Sequence, residues 1–131
     1  MSIILASILF FTILYLDVQS DYKKWKDNKP VNHFKEWAFR ALFLVPSVIL
    51  LALPWLSISK LIAASFMEGV LFWELFDGFY NKIRGFSWRF NGSKDKDDSW
   101  LDKLLYNLSP KQQMLLKWGL ISIFTTLYII I

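Results

Sequence analysis

Glu74, Asp77, Asn81 and Arg84 recur at i, i+3, i+7 and i+10 within Leu61 to Asp98, a stretch that opens apolar and closes as a basic, glycine-punctuated loop. Read as a helix at about 100° per residue, the four share a stripe within roughly a quarter of the circumference, with Glu68 about 120° from Glu74. A carboxylate at the centre of a bilayer costs on the order of 2.5–3.5 kcal/mol, so such groups normally face a bundle interior or water and find a partner. Two readings follow. Either Glu74 and Asp77 sit near a helix end and pair with Arg40 or Arg84, or they form a chemical site that binds a cation or relays protons through Glu68 and Glu74.

A second set of polar residues lies upstream. Asp17 ends the first apolar run, and His33, Glu36 and Arg40 stand at i, i+3 and i+7 ahead of the second. On a helix these three share a face. His33, Glu36, Glu74 and Asp77 are ligand types suited to a metal ion, but no second histidine stands at ligand spacing. The bland alternative is an ion-pair network at headgroup level that fixes helix register.

The elements that must position these residues are written in the composition. The chain has 131 residues, 55% of them hydrophobic and 18% aromatic, above the roughly 45–50% apolar share of soluble domains, with the excess in long runs. That is room for one domain with lipid-facing surface. Cysteine is absent, which removes disulfides, thiolate metal sites and cysteine nucleophiles. The net charge of +4 is concentrated beside apolar runs, a pattern that suits anionic headgroups rather than nucleic acid.

In chain order, Met1 to Leu16 would reach about 24 Å as a helix, a short span that needs flanking residues to snorkel. A signal peptide is the rival reading, with Val18-Gln19-Ser20 as a small-residue cleavage site, although no Lys or Arg precedes the run. The segment 17–37 reads as a polar loop, broken at Pro30. The second span is expected over about 41–58, with Pro46 bending it and Pro54 and Trp55 at its far boundary.

A tight connection leads into the third span, about 61–80, where Gly78 and Gly85 would admit a close neighbour. The segment 82–111 is a second polar loop, with a turn at Asn91-Gly92-Ser93 and a solvated tip from Lys94 to Asp98. Ser99 caps a short amphipathic helix carrying Trp100, Leu101, Leu104, Leu105 and Leu108, lying on the membrane or against the bundle. Ser109-Pro110-Lys111-Gln112 then combines a cap, a proline at the first helical position and a capping-box glutamine. The last span is expected over about 112–131, with Lys117 snorkelling back toward the same face.

The expected architecture is therefore all-α, a single membrane domain of four transmembrane helices in an antiparallel bundle, plus the short interfacial helix. Thirteen of the 15 Lys and Arg residues, Arg40 just past the first loop included, lie on the side of the two long loops and only Lys60 on the other. The positive-inside rule then makes the loops cytoplasmic and both termini external. This brings Asp17, His33, Glu36, Arg40, Glu74, Asp77, Asn81 and Arg84 to one level at the cytoplasmic face, and predicts that Arg40 neighbours Glu74 and Asp77.

Two resemblances bear on function. Asp77-Gly78 with Gly92, Asp95, Asp97 and Asp98 resembles the metal-binding aspartate motif of the CDP-alcohol phosphotransferases, which implies a divalent cation held against a pyrophosphate. The chain departs from it in Asn81-Lys82, in a second glycine one residue too far, and in being too short for that six-helix fold. Phe76-Asp77, Asn81, Arg84-Gly85, Trp88, Phe90, Gly92-Ser93 and Asp102, with His33 and Arg40 upstream, resemble uncharacterised small multi-span membrane proteins of tailed phages and prophages. That resemblance covers about the last two thirds of the chain and implies an origin but no activity.

Size and span number are similar to those of holins. They also match the small multidrug transporters, whose acidic residue lies in a first span that here has none before Asp17. The expectation is a non-enzymatic membrane factor of the inner membrane with a polar cytoplasmic face and the lipid bilayer as partner, homo-oligomerisation being left open. A holin-like permeabiliser is one alternative. A lipid-phosphate enzyme using a divalent cation on Asp77, Asp95, Asp97 and Asp98 is the other, and that ion is the only cofactor the sequence suggests.

Overall fold

The computed structural model describes residues 2–29, 33–52, 57–88 and 107–131. Among them are four α-helices and no strand: α1 (Ser2–Lys26), α2 (His33–Ala52), α3 (Ile58–Ile83) and α4 (Pro110–Ile130). The surface helix expected near residue 100, the 91–93 turn, the Pro54-Trp55 boundary and Asp95, Asp97 and Asp98 lie outside the described residues.

Contacts at matching levels give an up-and-down antiparallel order. Ser47 of α2 meets the carbonyl of Ala6 on α1, Phe66 of α3 stacks on Phe124 of α4, and the Tyr128 hydroxyl near the end of α4 donates to the Leu51 carbonyl near the end of α2 at 2.8 Å. Helix α3 is central and touches each of the other three. Its Phe72 and Phe76 join Phe10, Leu14, Val18 and Leu44 in the apolar core, with Phe10 edge-on to Phe72.

The first helix corrects the sequence reading. Residues 17–26, expected as loop, continue α1 for ten residues beyond Leu16. No helix breaker stands there, and the buried stripe Ala6, Phe10, Leu14, Val18 runs on into Asp17 and Asp21 at the i, i+3, i+4 spacing of one helix face. The helix stops where a left-handed residue becomes available. Asn28 adopts φ 52°, and the Lys29 and Asn28 amides donate to the carbonyls of Lys24 and Trp25, the paired bonds of a Schellman cap.

Helix α3 ends in the same way. Gly85 has φ +81°, and the amides of Phe86 and Gly85 close on the carbonyls of Asn81 and Lys82. Glycine takes this conformation without the Cβ penalty, so here it terminates the helix rather than admitting a neighbour. Helix α4 opens as its sequence predicts. Ser109 Oγ accepts from the Gln112 amide at 3.3 Å, Gln112 Oε1 accepts from the Ser109 amide at 2.8 Å, and Pro110 stands at the first helical position.

Four spans were expected, yet two helices, α1 and α4, are long and apolar enough by length and composition to cross a membrane. The apolar part of α2 covers only Ala38–Ala52, and α3 is interrupted by Glu68, Glu74 and Asp77. The reason is the central position of α3. Its outer positions Leu61, Ile62, Phe66 and Phe79 are exposed and apolar, whereas its Lys60, Glu68, Glu74 and Asn81 are buried.

Gly78 does admit a close neighbour, the indole of Trp88, which would lie 1.9 Å from an added Cβ. Gly78→Ala should expel Trp88 and lower stability by about 1–3 kcal/mol, as overpacking does. Gly69 has nothing within 4 Å, so Gly69→Ala should be neutral or stabilise by about 0.5–1 kcal/mol from helix propensity. Unfolding of the two variants in detergent, followed by circular dichroism, checks both signs.

Candidate functional site

The polar residues expected to form one cluster are divided by α3 into three groups. The first joins α1 to α2. Arg40 donates through Nε to Asp17 Oδ2 at 2.5 Å and through a terminal nitrogen to Asp21 Oδ2 at 2.7 Å, while its guanidinium lies over the Phe76 ring of α3, 4.0 Å from the centroid. Lys24 pairs with Asp21 at 3.1 Å and with Glu36. Asp17 and Asp21 are buried and Glu36 is half-buried, so two cations are set among three carboxylates in a largely water-excluded place.

The second group joins α3 to α4. Lys117 reaches Asp77 Oδ2 at 2.8 Å and Glu74 Oε2 at 3.4 Å, and its ammonium sits 4.2 Å from the Trp73 ring centroid. Lys117 is therefore an interior partner, buried in the bundle, and does not snorkel. A cation over an aromatic face adds roughly 0.5–2 kcal/mol, more where water is excluded.

The third group closes the end of α3. Arg84 donates to Asn81 Oδ1 at 2.7 Å and is bracketed by rings, Tyr80 at 4.0 Å, Phe86 at 5.2 Å and Trp25 of α1 at 5.9 Å. Asn81 in turn donates to the Trp88 carbonyl at 3.2 Å, fastening the segment after the helix back onto it. Burial among these groups lowers the pKa of Arg84, while Tyr80 and Asp77 raise it.

The expected pairing of Arg40 with Glu74 and Asp77 is thus replaced by pairing with Asp17 and Asp21. The sequence reading matched depth but not direction around α3. Phe76 faces α1 and α2, and Glu74 lies about 200° from it on a helix, turned to α4. Glu36 and Arg40 do meet in one network through Lys24 and Asp21, whereas Asn81 and Arg84 meet each other in another. The side chain of His33 lies outside the described residues, although its backbone begins α2.

The sequence places Asp17 at this level, whereas Asp21, Lys24 and Lys117 were not singled out for the site. Their signal was available in the continuation of the α1 stripe and in a lysine two turns inside an apolar helix. The oxygens of Asp17, Asp21 and Glu36 lie within 4.8 Å of one another, a spacing a divalent cation could use. Arg40 and Lys24 already neutralise them, so an ion there would have to displace a resident cation. Asp77, the described member of the aspartate set considered for a cation, is likewise held by Lys117.

A last polar contact lies deeper. Ser47, fully buried, is 2.7 Å from Glu68 Oε1 and 3.1 Å from the Ala6 carbonyl. No family model matches the chain, no curated protein matches it, and no solved structure matches it.

The pairing can be read by mutant cycles. Removing one partner of a buried ion pair costs about 3–5 kcal/mol because the survivor is left uncompensated. Arg40→Ala and Asp17→Ala should each destabilise by up to that amount, with the double variant losing much less than the sum. Arg40→Ala with Asp77→Ala should be additive within about 0.5 kcal/mol, as for sites that share no partner. Unfolding free energies of wild type, the three single variants and the two double variants, six proteins in all, give both coupling terms.

Proposed function

We propose that the chain is a multi-pass inner-membrane protein in which all four helices lie in the bilayer, with both termini outside and the two long loops in the cytoplasm. It acts as a non-enzymatic membrane factor of the phage and prophage type, working through its lipid-facing surface and its cytoplasmic polar face. The observation that carries this is the inverted distribution of side chains. Asp17, Asp21, Ser47, Lys60, Glu68, Glu74, Asn81 and Lys117 are buried, while Ile8, Phe11, Leu42, Phe66, Leu115 and Ile123 are exposed.

In water this arrangement would put apolar side chains against solvent and charges against protein on every helix. In hydrocarbon it is what the solvent demands, because polar groups in a span turn to the bundle interior and pair there. The charged helix α3 is accommodated by the same logic, since its neighbours on three sides supply partners or cover. A non-enzymatic role is favoured because, among the described residues, the carboxylates of the two ion-pair groups are bound to Arg40, Lys24 and Lys117 and so hold helices together.

Reporter fusions test the topology. A reporter after Ile131 should be active only outside the cytoplasm and one at Lys94 only inside, with the protein resisting alkaline extraction from the membrane. A protein released by alkaline carbonate, or the opposite reporter pattern, would overturn the reading. Dye leakage from cells expressing the chain would place it with the holins, and Mg²⁺ binding abolished by Asp77→Asn would favour the lipid-phosphate enzyme.

A further inference from the structure

Glu68 is the buried carboxyl that none of the ion-pair groups uses. It is 4% exposed, its Oε1 lies 2.7 Å from Ser47 Oγ, and its Oε2 is buried with no hydrogen-bond partner. Ser47 Oγ is also 3.1 Å from the Ala6 carbonyl oxygen. A serine hydroxyl carries one hydrogen, and a backbone carbonyl can only accept. With an ionised Glu68, the single Ser47 hydrogen would have to serve two acceptors. With a protonated Glu68 both contacts are satisfied in sequence, the acid donating to Ser47 Oγ and Ser47 donating to Ala6.

Charge leads to the same assignment. The ion-paired side chains of the bundle are engaged elsewhere: Asp17 and Asp21 of α1 and Glu36 of α2 with Arg40 and Lys24, Glu74 and Asp77 of α3 with Lys117 of α4. Lys60, two turns earlier on α3, faces the Tyr128 ring. Among the described residues, the Ser47 hydroxyl is the polar contact of this carboxyl, and no charged side chain pairs with it.

We propose that Glu68 is a proton-binding site, and that the bound proton makes the chain of hydrogen bonds from Glu68 through Ser47 to Ala6 that fastens α3 and α2 to α1. Loss of the proton leaves an uncompensated carboxylate inside the bundle and turns the Ser47 hydroxyl from Ala6 to Glu68. The contact between α1 and α2 at that level is released. The rest of α1 stays held by Arg40, so the site loosens the end of the bundle away from the ion pairs without unfolding it.

The test is labelling of the full chain in lipid vesicles with dicyclohexylcarbodiimide, an apolar reagent that attacks protonated carboxyl groups. The acid O–H adds across one N=C bond, and the resulting O-acylisourea rearranges to a stable N-acylurea with no atom lost. Digestion and mass spectrometry should find one principal adduct, on Glu68, absent in Glu68→Gln and at least tenfold weaker with a charged, water-soluble carbodiimide. Labelling should fall as pH is raised, and added Na⁺ or K⁺ should not protect.

Infrared spectra of the wild type provide a readout independent of variant folding. A protonated-carboxyl C=O band should be present at neutral pH and disappear on titration to alkaline pH in step with the labelling. Absence of that band at neutral pH, labelling spread evenly over Asp17, Asp21, Glu74 and Asp77, or protection by Na⁺ or K⁺ would each overturn the assignment.

Discussion

Arg40 holds Asp17 and Asp21 with two of its nitrogens while its guanidinium plane covers Phe76, so one side chain ties α1, α2 and α3 together at a single level. Its rigid, planar fork suits this task, since a guanidinium offers separate donors to two carboxylates and a flat face to a ring. A charge in such a place is costly unless it is compensated where it stands. That constraint organises the rest of the molecule. Lys24 completes the neutralisation on one flank, and Lys117 does the same for Glu74 and Asp77 on the other.

Because the charges are consumed inside, the outside is free to be apolar. The exposed faces of all four helices carry large aliphatic and aromatic side chains, and α3 achieves this while bearing three carboxylates. A hydropathy average over its sequence counts Glu68 and Glu74, which the fold turns inward. Direction around the helix, rather than composition along it, decides which side chains are exposed.

Much of this was legible in the sequence. The helical class, the chain order of the helices and the capping box at Ser109 and Gln112 follow from apolar runs and local hydrogen-bond chemistry, which depend on neighbours a few residues apart. The face shared by Glu74 and Asp77 was readable for the same reason. What was not readable was the identity of the partners. Pairing depends on how α3 is rotated between its neighbours, and that is fixed by Phe72 and Phe76 docking on Phe10 and Leu14, contacts made between distant parts of the chain. The length of α1 was misjudged because polarity was taken as the end of the helix. The helix in fact continues to Asn28, where the first residue suited to a left-handed cap occurs.

The central claim is that charged side chains point into the bundle while apolar ones meet lipid, and it is tested most directly by spin-label accessibility. The chain has no cysteine, so single cysteines at Leu42, Phe66 and Ile123 can each carry a nitroxide without altering the background. In vesicles, relaxation of these labels by oxygen should be strong and by a water-soluble nickel chelate weak, with a label at Lys94 showing the reverse. Strong relaxation by the nickel chelate at Leu42, Phe66 and Ile123 would show that these faces meet water, and would contradict the account.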